Sequence, residues 1–329
     1  MTDYCYVDFD YTYCLHLLVI IYILSGLNLP SYSVFVHFLA LGCAPTLARQ
    51  LRHKSNIYRE FKMKKLAVII SSILLSSAAT TAIAADTYQS ISHVGYVDVD
   101  GDDTVTVDST YYFSPKATLG PYDQFEYINK QTNVYGAYSD NDFGDVTSVG
   151  GEYFVEDFVL GAQYNNFDSD FGSSTDVIEL SAGYFFNPNL VLKATFIDVE
   201  DADNQFVFDL AYNHQLNSTD YIGFTVTADD EFDYRAVAAK YFVDLQQGNY
   251  LTVEGKFEDV DGGSSNWELA SNYYFSKATS VFVTVNKNDD YTLGAQHFFN
   301  NNVGLEAGYG NNWDDSDYDA YFANLSLQF

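Results

Sequence analysis

The feature that most constrains this chain is a strict period of two that begins after residue 85 and runs to the end. Ile178, Leu180, Ala182, Tyr184 and Phe186 fall on one side of an extended backbone, while Glu179, Ser181, Gly183 and Phe185 fall on the other. The same alternation recurs in Leu190, Leu192, Ala194 and Phe196 against Lys193 and Thr195. It recurs in Phe206, Phe208, Leu210 and Tyr212 against Asp209 and Asn213, and in Val303, Leu305, Ala307 and Tyr309 against Gly304, Glu306 and Gly308. Successive side chains of a strand point to opposite faces, so each run predicts a strand with one apolar and one more polar face.

Two kinds of punctuation separate the runs. One is short and follows an aromatic pair spaced two apart, as in Tyr184/Phe186, Tyr273/Phe275 and His297/Phe299, with Asn, Pro or Gly next (Asn187-Pro188-Asn189). The other is acidic: Asp98 to Asp103, Asp140 to Asp145, Asp168 to Asp176, Asp198 to Asp203, Asp229 to Asp233, Glu258 to Gly263, Asn286 to Asp290 and Asn311 to Asp319. Eight acidic turns and seven short ones imply sixteen strands in one antiparallel meander. A sheet that wide must curl or close, and closure removes its unpaired edges. The expected fold is all-β, a closed antiparallel up-and-down transmembrane β-barrel of about sixteen strands with short turns. The apolar faces then meet lipid, because no helical segment is present in the pattern to cover them.

Charge narrows the function classes. The 329 residues hold 45 acids and 15 bases, a formal charge of −30. Binding to nucleic acid needs a basic footprint and is not expected. The 17% aromatic content argues against an acidic disordered chain. A secretory leader is expected over 63–84: Met63, then Lys64 and Lys65, an apolar core from Leu66 to Leu75, and Ala82-Ile83-Ala84 as the cleavage site. Cutting there leaves a working domain of 85–329 with 41 acids, 8 bases and none of the three cysteines, as suits an oxidising compartment. Residues 1–62 are expected to be an upstream extension outside the true reading frame start at Met63, or a disordered segment.

The last strand carries Tyr321, Ala323, Leu325, Leu327 and a terminal Phe329 on one face. With the secretory start, the repeated Tyr-Phe hairpins and the even strand count, residues 85–329 resemble a Gram-negative outer-membrane porin, and more narrowly the general bacterial porins with short loops. The resemblance implies a channel in the cell outer membrane, with outer-membrane lipid and lipopolysaccharide as surroundings. It also implies recognition of the strand ending in Phe329 by the barrel-assembly machinery, and a homotrimer. One departure stands out: no acidic turn is long enough to fold inward as a constriction. The longest irregular stretch, about Pro115 to Thr132, falls at the short-turn end, and Glu126 and Lys130 could narrow a passage there.

The polar faces define the expected pore lining: Asp108, Glu152, Glu179, Asp209, Glu254, Glu268 and Glu306, against Lys193, Lys240 and Lys256. Seven acids to three bases predict a channel for small hydrophilic solutes that prefers cations. The competing reading is a structural or adhesive barrel without an open pore. Catalysis is not expected: His214 and His297 fall at the short-turn end and His93 stands alone on the first strand. No cofactor is called for. The Asp98-Val99-Asp100-Gly101-Asp102 run has Ser109 where a calcium loop needs its closing Glu, so no metal site is expected. The inward aromatics Tyr112, Phe185, Phe242, Tyr274 and Phe298 are expected to fill the narrow mouth at the short-turn end.

Overall fold

A computed structural model describes residues 86–172, 174–314 and 319–329. The leader and everything upstream of it lie outside the described residues. The described chain forms sixteen strands: β1 (Thr87–Val99), β2 (Asp102–Ala117), β3 (Asn133–Asn141), β4 (Gly144–Val155), β5 (Phe158–Ser169), β6 (Ser174–Asn187), β7 (Leu190–Val199), β8 (Gln205–Gln215), β9 (Tyr221–Asp229), β10 (Tyr234–Gln246), β11 (Asn249–Val260), β12 (Asn266–Ser276), β13 (Thr279–Asn286), β14 (Asp290–Asn300), β15 (Val303–Asn312) and β16 (Asp319–Gln328). Each pairs antiparallel with its sequence neighbours, and β1 pairs with β16 to close the barrel. Among the described residues no helix is long and apolar enough to cross a membrane.

The closing seam runs from Ile91↔Gln328 to Val99↔Ala320. Phe329 extends it: its carbonyl accepts from the amides of Gln89 (2.6 Å) and Ser90 (2.8 Å), and its own amide donates to the Ser90 carbonyl (2.8 Å). Main-chain groups left unpaired in hydrocarbon cost several kcal/mol each, so closure is what makes an all-strand chain viable in lipid.

Turn chemistry follows the sequence closely. Asp100 (φ 54°) and Gly101 (φ 91°) both take the left-handed region, and Val99 pairs with Asp102 across them. That is the two-residue hairpin turn favoured by Asp-Gly, so the acidic run there is a tight corner. At the opposite end a register shift falls just before the turn in β6, β10, β12 and β14, between Phe185/Asn187, Asp244/Gln246, Tyr274/Ser276 and Phe298/Asn300. The residues at these bulges, Phe186, Leu245, Phe275 and Phe299, are exposed on the apolar outside.

The aromatic pairs divide between two jobs. Their outward members meet edge to face, at 5.3 Å for Tyr184–Phe186, 5.0 Å for Tyr273–Phe275, 5.3 Å for His297–Phe299 and 5.5 Å for Tyr111–Phe113. This is the favoured quadrupole geometry, and it builds a ring of amphipathic side chains around the short-turn end. Toward the acidic end, outward tyrosines tilt their hydroxyls to rim carboxylates: Tyr164 to Asp176 (2.8 Å), Tyr138 to Asp140 (3.0 Å) and Tyr309 to Asp319 (2.5 Å). Trp313 stacks on Tyr291 at 5.1 Å at the same end. Two girdles therefore bracket a band of half-exposed Val, Leu and Ile side chains such as Leu160, Leu180, Val226 and Leu293.

Deleting Phe329 removes three seam hydrogen bonds. At about 0.5–1.5 kcal/mol each, the loss should be ~2–4 kcal/mol. Urea unfolding of the vesicle-embedded barrel should show a lower midpoint; an unchanged midpoint would mean that the seam closes without its last residue.

Candidate pore and its constriction

The enclosed face of the barrel is identified by what crosses it. Residues 118–132, between β2 and β3, leave the wall at the short-turn end and touch strands all around the barrel. Ile128 packs with Val159, Phe185 and Val191 of β5, β6 and β7. Leu119 and Tyr127 pack against Tyr221, Phe242, Tyr250 and Tyr274 of β9 to β12. Tyr122 meets Phe298 of β14 edge to face at 5.5 Å, and its amide donates to the Lys277 carbonyl (3.0 Å). A single segment of 15 residues reaches such widely separated strands only through the interior.

The wall is shaped to receive it. A Cβ at Gly223 would overlap the Tyr127 ring, and one at Gly120 would overlap the Tyr250 ring. Tyr127 Oη and Thr225 Oγ1 share a hydrogen bond of 2.7 Å beside the Gly223 hollow. Phe242, Tyr221 and Tyr274 are 0–1% exposed, so the segment seals against them. The inward aromatics thus do fill the short-turn mouth, but they do so by clasping this segment. Glu126 and Lys130 pair with each other at 3.3 Å and are solvent-exposed.

The tip of the segment ends in a polar knot. The Tyr274 hydroxyl accepts from Gln124 Nε2 (2.7 Å) and Asn272 Nδ2 (3.0 Å) and donates to Asp123 Oδ2 (3.1 Å). Burial pushes the Asp123 carboxyl above the usual carboxylate range, against the opposing pull of the Tyr274 bond and the Lys240 charge.

Alternation from Phe185, Phe242, Tyr274 and Phe298 fixes the enclosed face of each strand, and registers carry it to the neighbours. Glu152 of β4 lies opposite Gly161, and Lys193 of β7 opposite Gly183. Across these two strands Lys193 Nζ comes within 3.8 Å of Glu152. Lys240 of β10 and Glu254 of β11 are direct cross-strand partners with an ion pair of 2.9 Å. Lys256 sits opposite Glu268 in register, yet its ammonium pairs with Glu258 at 2.8 Å. Glu179 accepts from Asn165 (2.9 Å), and Asp209 accepts from the Thr227 hydroxyl (2.6 Å). On the far side Glu306 lies opposite Asn324, which lies opposite Gly95.

One expectation is corrected. His93 is not alone: it faces Asp108 across the β1–β2 hairpin, with Nδ1 2.9 Å from Oδ2. Counting would have found this, since His93 is seven residues before Asp100 and Asp108 seven after Gly101 in that two-residue turn. Glu306 is within electrostatic reach of both His93 and Asp123, so the acidic wall of β1, β2 and β15 faces the tip of the segment. Sequence reasoning also missed Asp123, Gln124 and Tyr127. They lie in an aperiodic stretch, and only the Pro121 and Gly120 breaks flagged it as irregular.

Comparison with known proteins agrees with the barrel. A family model described as "Putative general bacterial porin" matches residues 63–329, beginning at the same methionine that opens the expected leader. A search of curated proteins finds no match. Among solved structures, the outer membrane protein Omp33 of Acinetobacter baumannii is 15% identical with a TM-score of 0.50, over 74% of this chain and 99% of that one. An engineered Rhodopseudomonas blastica porin is 12% identical with a TM-score of 0.45, over 73% and 98%. With a family match over most of its length and a closed sixteen-strand wall, the chain belongs to the general bacterial porins, barrel channels of the Gram-negative outer membrane.

Proposed function

We propose that this porin is a passive channel for small hydrophilic solutes that favours cations, and that the ten charged residues above line its path. The supporting observation is an imbalance in pairing. Of the enclosed lysines, Lys193, Lys240 and Lys256 are each offset by a glutamate, Glu152, Glu254 and Glu258, while Lys116 lies over the rings of Tyr112 and Phe125 at 4.7 and 5.2 Å. Asp108, Glu179, Asp209, Glu268 and Glu306 have no Lys or Arg within ion-pair distance among the described residues. Net negative potential in a water-filled passage with low-dielectric walls raises the local concentration of cations and repels anions. The acidic turns extend this field beyond the mouth.

In this reading the leader of 63–84 directs secretion, and the short turns face the periplasm. The acidic rim lies among lipopolysaccharide, where divalent ions would bridge like charges. The strand ending at Phe329 is offered to the assembly machinery, and trimerisation uses the apolar wall. The enclosed side chains carry no catalytic role; His93–Asp108 is part of the charged lining.

The segment 118–132 is read as the narrowest point. Gly223→Val would drive the Tyr127 ring out of its hollow and break its bond to Thr225. Single-channel conductance should then rise by roughly twofold or more with the barrel intact; an unchanged conductance would place the narrowest point elsewhere.

Selectivity has its own test. Reversal potentials across a potassium chloride gradient should show cation preference. Combined Asp108→Asn, Asp209→Asn and Glu268→Gln substitution should lower the potassium-to-chloride ratio by roughly twofold or more. Raising salt from about 0.1 M to about 1 M, which shortens the screening length from about 10 Å to about 3 Å, should shrink the preference of the unmodified channel. Anion preference, or silence in the bilayer, would overturn the reading and favour an adhesive or structural barrel.

A further inference from the structure

The polar knot at the tip of 118–132 leaves three buried oxygens without a hydrogen-bond partner among the described residues. The Tyr274 hydroxyl is saturated, with two bonds accepted and one donated. Around it Asp123 Oδ1, Gln124 Oε1 and Asn272 Oδ1 are buried acceptors with no donor among the described residues. A buried acceptor left bare costs about 1–3 kcal/mol. A carboxylate can only accept, whereas a protonated carboxyl also donates. One proton on Asp123 therefore adds a donor that can serve one of the bare acceptors and removes a buried negative charge.

The charged surroundings do not supply a substitute. On β10, Lys240 acts on Asp123 but is held by Glu254 of β11 at 2.9 Å. From β12 come only Tyr274 and Asn272. From β15, Glu306 adds a second acid, with His93 of β1 beside it and engaged by Asp108. At the base of the segment Lys277 is bound to Asp86 at 2.7 Å.

We propose that residues 118–132 form a proton-held latch. With Asp123 as a neutral acid the tip stays docked on Tyr274 and the passage is narrow; loss of that proton frees the tip and widens the passage. The rest of the segment supports a hinged release. Beyond the knot it is docked by two apolar patches, one around Ile128 and one around Leu119 and Tyr127, by the Tyr122–Phe298 ring contact, the Tyr127–Thr225 hydroxyl pair and the Tyr122 amide bond to the Lys277 carbonyl, none of which belongs to the strand ladder.

The direction of the pH response follows from the burial of the acid. Docking raises the affinity of Asp123 for its proton above that of an exposed carboxyl near pH ~3.9. The docked state is fully favoured below that pH. It loses up to about tenfold in its ratio to the released state for each pH unit above, until the buried acid itself has ionised.

The test uses protein extracted from outer membranes. Conductance in potassium chloride should increase from pH 4 to pH 9, and Asp123→Asn should hold the low-conductance state throughout that range. Hydrogen exchange, corrected for intrinsic rates, should show amides of 118–132 protected at pH 4 and exposed at pH 9, with the strands unchanged. The exchange measurement needs neither an open pore nor a folded variant, so it separates failure of the latch from failure of the channel reading on which the conductance arm rests. A conductance response in Asp123→Asn that tracks the unmodified protein, or protection of 118–132 that ignores pH, would overturn the proposal.

Discussion

Every part of this molecule depends on the closed ladder of main-chain hydrogen bonds. Lipid offers a peptide group nothing to bond with, so each amide and carbonyl must find its partner on a neighbouring strand. The β1–β16 seam and the last carbonyl of the chain complete that requirement. Once the ladder is closed, side chains have only two places to go, and the period of two decides which. The apolar set faces outward and the polar set inward. Tyrosines at the boundaries satisfy both demands by keeping rings in the greasy band and hydroxyls at the carboxylates of the rim.

Closure also creates the interior that the chain then narrows for itself. The longest connection lies at the short-turn end and folds back through the middle, held by aromatic packing and a few polar contacts. The barrel wall makes room with missing side chains, most plainly at Gly223 under the Tyr127 ring. The wall is thus held by continuous main-chain pairing, while the segment that crosses its interior is held by side-chain packing and a few polar contacts.

Much of this was legible beforehand because the signals are local. Alternation in Ile178 to Phe186 needs no knowledge of the rest of the fold, and the acidic turns mark their own corners. The strand number followed from counting turns. What was hidden depends on long-range pairing. Gln124 meets Tyr274 across 150 positions, and nothing periodic in the chain announces it. His93 looked isolated because only the register of the Asp100–Gly101 hairpin puts Asp108 opposite it. The expectation that aromatics fill the narrow mouth was sound in chemistry but lacked their companion, since rings such as Phe242 and Tyr250 close on a foreign segment as well as on each other.

The shortness of the acidic turns has a bearing on the order of events during permeation. In the proposed orientation, an arriving solute meets the negatively charged turns first and the segment 118–132 last. Ions would be sorted by sign while still fully hydrated and free to turn back, and by girth only at the exit. Under the proposed reading, the wrong charge is turned away early, and the aperture is left to the segment at the short-turn end.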